Sequence, residues 1–183
     1  MKESADEEIV NSVRLAVRQR KRELPTAASG TPITAEGHGS YTWGTRLRFG
    51  IGGQAREFMT TGWSHDEAGY VWTEGSRASI AMRISPPSGD IRLSLCVKAL
   101  APFGSQPQTL RLRSNARVDL NWLVSGDFTW VRGRLFHQQV SGLKELLMDL
   151  IPEAPAAPLS IGQGDDPRLL GIAVAELIME IDS

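Results

Sequence analysis

The sequence predicts an all-β fold, an antiparallel β-sandwich of jelly-roll type preceded by an N-terminal helix. Three observations predict it. From Tyr41 onward apolar residues tend to recur at every second position, which is the period of a half-buried strand. Groups of Gly, Pro, Ser and Asp interrupt that alternation at fairly regular spacing, as turns do in sandwiches. One stretch, Gly62 to Gly75 (GWSHDEAGYVWTEG), places two tryptophans, a tyrosine, a histidine and three carboxylates between three glycines, just before the cleanest strand pattern in the chain.

Residues 1–24 read as a helix. Ile9, Val13, Ala16 and Val17 form one stripe, Ser4 and Glu7 can close a capping box, and acidic residues at the start with basic ones at the end complement the helix dipole. The stripe is narrow and its side chains small, which suits docking on a partner, and an oligomer could form through it. Residues 25–40, rich in Thr, Ala, Gly, Ser and Pro, read as a linker. The sandwich spans 41–183.

Tyr41 to Gly50 reads as its first strand, and Ile51-Gly52-Gly53 turns the chain. Ser76 to Ile84 alternates Ala78, Ile80, Met82 and Ile84 against Arg77, Ser79, Ala81 and Arg83. After the turn SPPSGD, Leu93, Leu95 and Val97 oppose Arg92, Ser94, Cys96 and Lys98, and the two strands read as an antiparallel pair with one buried face. Beyond a loop with Pro102, Gly104 and Pro107, strands follow at Thr109 to Arg113, Arg117 to Val124 and Thr129 to Phe136. Ser141 to Ile151 has leucines at helical spacing, but its neighbours are strands and Pro152 ends it, so a strand is expected at Glu145 to Ile151. Leu169 to Ile181 reads as the closing strand. The total is eight or nine strands.

Composition bounds the function. The chain has 183 residues, 41% of them hydrophobic, enough for one full core. A net charge of −1 and a pI near 6.3 give no global bias toward nucleic acid or anionic membranes. Ser76 to Val140 is nonetheless basic and Ser141 to Ser183 acidic. Cys96 is the only cysteine, so no internal disulfide forms, and its strand context suggests a buried, inert thiol. No apolar run approaches the roughly 20 residues of a membrane span, and the amino terminus carries charges where a signal peptide is apolar. A cytoplasmic setting is expected.

Catalytic patterns are sparse. His38, His65 and His137 lack metal-ligand spacing, and His65, Asp66 and Glu67 are consecutive, so in a strand they point to alternate sides; no metal or other cofactor is expected. Ser64-His65-Asp66 has the letters of a triad without its convergence from separate segments. No phosphate-binding loop is present. Binding is better supported. Sugars present C–H faces to aromatic rings and hydroxyls to carboxylates, and a loop holding Trp63, His65, Asp66, Glu67, Tyr70 and Trp72 offers both. Trp72 also reads as a core residue plugging the end of the sandwich. A second candidate is the outward stripe Arg77, Arg83, Arg92, Lys98, Arg111, Arg113, Arg132 and Arg134. It would make one basic face for an anionic polymer if these strands are neighbours, unless the acidic tail neutralises it.

Two motifs resemble a known family. Gly62, Trp63, Glu67, Trp72 and Gly75 match a GW...E...W(S/T)xG segment, and Gly162, Asp166, Arg168, Leu170 and Gly171 match a closing segment around DxRxLG. Both belong to a β-sandwich module of bacterial glycosyltransferases and other polysaccharide-biosynthesis proteins, which this chain resembles over Tyr41 to Ser183. It departs at Ser114-Asn115-Ala116, where that family has a Val-Asn-Gly turn, and no transferase catalytic pattern accompanies it. The resemblance implies a jelly roll with a non-catalytic, carbohydrate-associated accessory role and pairing of Asp166 with Arg168. A glycan is therefore the expected partner. The alternative is a structural or assembly protein whose sandwich and helix make protein contacts.

Overall fold

The computed structural model describes residues 38–100 and 107–182, so the expected N-terminal helix and most of the expected linker lie outside the described residues. The described strands form two sheets. The first contains, in spatial order, β1 (Ser40–Tyr41), β5 (Ala78–Ile84), β10 (Glu145–Pro152), β7 (Gln108–Ser114) and β8 (Asp119–Val124). The second contains β3 (Trp63–Glu67), β4 (Tyr70–Glu74), β11 (Leu170–Ile181), β6 (Ile91–Ala99) and β9 (Thr129–Leu135), with β2 (Arg46–Arg48) pairing to β11 beyond β4. Counted from β4, the first, eighth, third and sixth strands share one sheet and the second, seventh, fourth and fifth share the other. That is jelly-roll order.

Alternation builds the core between the sheets. Leu93 and Leu95 of β6 and Ile172 of β11 meet Leu110 and Leu112 of β7 and Leu146 of β10, all fully buried. Residues at the intervening positions form the two outer faces. β10 is the strand expected from its neighbours: it lies between β5 and β7, and its inward positions Leu146, Met148 and Leu150 are buried while the alternate ones are not. Helical leucine spacing yields there to two flanking ladders.

Three expectations are corrected. Tyr41 to Gly50 is not one strand, since β1 and β2 lie in different sheets and Gly44, at φ 83°, turns the chain between them. The Tyr41 hydroxyl pins this crossing, donating to the Thr45 carbonyl at 2.6 Å and accepting from the Met179 N–H at 2.8 Å. β5 and β6 do not pair. Ser85 to Asp90, with two prolines that cannot donate to a ladder, arches from one sheet to the other. Finally, there are eleven described strands rather than eight or nine, because the expected first strand divides into β1 and β2, and β3 and β4 occupy the stretch that read as a loop.

Candidate ligand-binding face

The stretch from Gly62 to Gly75 is a β-hairpin and not a loop. β3 pairs with β4 through Trp63 opposite Thr73, Asp66 opposite Val71 and Glu67 opposite Tyr70, with an irregularity after Trp63. Gly62 is required where it stands: its φ is 75°, and a Cβ there would lie 1.8 Å from the Arg77 carbonyl oxygen. This register divides the six expected site residues between two sides.

Trp63 belongs to the interior. Its ring packs against the core, 5.5 Å from Phe49, and its indole N–H donates to the Ser79 carbonyl of the facing sheet at 2.8 Å. Asp66 is held by Arg56 at 2.8 Å. His65, Glu67, Tyr70 and Trp72 share the outer face of the second sheet. His65 Nε2 lies 3.0 Å from Glu67 Oε1 and its Nδ1 meets Arg168; since Arg168 can only donate, the tautomer that fits both contacts carries its N–H at Nε2, toward Glu67. Trp72 is not a core plug, because it alternates with buried Val71 and Thr73 and is half-buried on the outside.

The two family-like motifs meet in space as a clasp. Arg168 donates through Nε to Asp166 at 2.9 Å and reaches Ser64 Oγ and His65. Its guanidinium lowers the Asp166 carboxyl from 3.8 to about 2. One step on, the Thr73 hydroxyl accepts from the Ile172 N–H at 2.9 Å, where β11 is irregular between Leu170 and Ala173. The expected Asp166 to Arg168 pair is therefore present, and it anchors the approach to β11 onto β3.

The outer face of the second sheet carries residues that sequence reasoning did not assemble. Lys98 Nζ sits 4.3 Å from the Tyr70 ring centroid, 4.8 Å from Phe128 and 5.3 Å from Trp72. Tyr70 lies 5.9 Å from Trp72 and 5.5 Å from Phe128. The rings converge because β11 presents Ala173 between Trp72 and Lys98 in register. Trp130, opposite Cys96, extends the surface and is 36% exposed. Beyond Tyr70 a cleft of about 240 Å³ is lined by Arg48, Gly69, Ala175 and Glu176 among others. Burial pushes the Lys98 ammonium below its ordinary pKa, and the charge of Glu67 opposes that shift. The legible signal was the pair of alternate aromatics Phe128 and Trp130 together with the small residues Ala173 and Ala175.

The basic stripe does not form one face. Arg77, Arg83, Arg111 and Arg113 lie on the first sheet, and Arg92, Lys98, Arg132 and Arg134 on the second. Several are neutralised: Arg77 pairs with Asp149 at 3.5 Å, Arg111 with Asp119, and Arg92 and Arg134 with Asp182. The acidic tail, through Asp149 and Asp182, thus accounts for three of them. Cys96 is half-buried on the outer face instead of in the core. Burial there, and then Glu176, raise its thiol pKa and disfavour the reactive thiolate. Among the described residues no group of three His, Cys, Asp or Glu is placed to hold a metal ion.

Fold and face together define a jelly-roll domain with an aromatic outer surface. No protein-family model matches the chain, and no curated protein matches it. Among solved structures it is similar to the C-terminal family 6 carbohydrate-binding module of LamC from Zobellia galactanivorans. Identity there is 9%, coverage 74% of this chain and 98% of that one, and the TM-score 0.46. A similar case is the CBM22-1 xylan-binding domain from Paenibacillus barcinonensis, with 14% identity, coverage of 78% and 96%, and a TM-score of 0.46. At these identities and scores the likeness assigns neither ligand nor site residue to this chain.

Proposed function

We propose that the domain is a non-catalytic carbohydrate-binding module, an accessory in glycan metabolism, and that the outer face of its second sheet is the binding surface. One observation carries the reading. The indole N–H groups of Trp43, Trp63 and Trp122 each donate to a backbone carbonyl, of Ser85, Ser79 and Arg132 respectively. No such bond occupies Trp72 or Trp130 among the described residues, and both stand on the face that also holds Tyr70 and Phe128. Rings of this kind offer an apolar plane and an unused donor together, which is what a sugar's C–H face and hydroxyls require.

Each ring contributes on the order of 1 kcal/mol, so affinity depends on several rings acting along one chain of sugars. Calorimetry against a panel of oligosaccharides tests this. Trp72→Ala is expected to weaken binding about tenfold while the melting temperature stays near that of the parent. Trp63→Ala is expected to destabilise by about 2 kcal/mol, since it removes core packing and the bond to Ser79. A panel with no binder, or Trp72→Ala binding as well as the parent, refutes the reading.

A further inference from the structure

The centre of this aromatic surface is charged, and that narrows the ligand. Lys98 is enclosed by Tyr70, Trp72 and Phe128, whose negative ring faces hold its ammonium. Among the described residues no carboxylate forms an ion pair with it. Glu67, the carboxylate whose charge it feels, is occupied by His65. Other cations on the same face are matched: Arg46 lies 3.3 Å from Glu176, and Arg134 lies 2.8 Å from Asp182. Two further cations near the rings have no ion pair among the described residues. Arg48 lines the cleft beside Gly69, and exposed Arg132 follows Trp130 on the same side of β9.

We infer that the face selects an anionic glycan, one bearing a carboxylate or a sulfate ester, and that Lys98 is the residue that selects it. The inference rests on the carbohydrate-binding reading above. Any sugar stacked on Trp72 covers Lys98 and strips water from a cation that has only ring faces as compensation. A neutral sugar leaves that loss largely uncompensated, whereas an anionic substituent supplies the missing counter-charge.

Matched pairs of oligosaccharides separate this inference from the reading beneath it. The probes are oligogalacturonates with their methyl esters, and sulfated galactan fragments with their desulfated forms. The parent chain is expected to bind the anionic member of at least one pair roughly fivefold more tightly at low salt, with the gap closing near 0.5 M salt. In Lys98→Met, which keeps an apolar stem between the rings, the gap should disappear while the neutral member still binds. Lys98→Gln provides a second variant, and melting temperatures verify that both fold. Equal binding of anionic and neutral members by the parent, with dependence on Trp72 retained, overturns the inference and spares the carbohydrate reading. A preference that survives in both Lys98 variants overturns the role of Lys98. If no pair binds at all, the carbohydrate reading falls and the inference with it.

Discussion

Arg168 shows how much one side chain can organise. It binds Asp166 two residues away and Ser64 and His65 more than a hundred residues earlier, so the approach to β11 is tied to β3. Because the folded Asp166 carboxyl titrates near 2 rather than 3.8, its contribution to stability is complete above about pH 4. It is lost as pH falls through 2. Thermal unfolding measured from pH 5 to pH 2 should therefore show a flatter acid decline for Asp166→Asn than for the parent; identical declines would remove the pair from the account. At this scale the sequence was partly legible. The pairing of Asp166 with Arg168 was available from the motif, but their reach to Ser64 and His65 was not. Trp63 and Trp72 look alike in the sequence. Only the strand register assigns one to the interior and the other to the surface.

The hairpin of β3 and β4 gains its position from β11. Where β11 is irregular, between Leu170 and Ala173, the Ile172 N–H finds its acceptor in the Thr73 hydroxyl, which is fully buried. Thr73→Val keeps the shape and removes the acceptor. It is expected to cost about 1–3 kcal/mol in chemical denaturation, and Thr73→Ser should restore most of that. An unaffected Thr73→Val protein would show that the irregularity is satisfied in another way. Strand identity was readable from alternation in β5, β6, β7 and β9, where turns also mark the ends. It was not readable at Tyr41 to Gly50, because a strand pattern does not reveal a change of sheet at Gly44.

In the whole molecule the described core closes within residues 38–182. Removing residues 1–34 is accordingly expected to leave a single cooperative unfolding transition, followed by circular dichroism. Loss of that transition would show that the sandwich core is incomplete without them. Light scattering on the same protein tests the assembly alternative, which requires the number of chains per particle to fall below that of the full-length form. Among the described residues no helix is long and apolar enough to cross a membrane. By itself the sequence determined the all-β class, most strands and the aromatic hairpin, because alternation and turn chemistry are local properties. Tertiary structure alone decided that β5 and β6 belong to different sheets, that the basic stripe is divided, and that Lys98 meets Tyr70, Trp72 and Phe128. Those outcomes depend on β11 lying between β4 and β6, a pairing between segments far apart in the chain that local patterns do not encode.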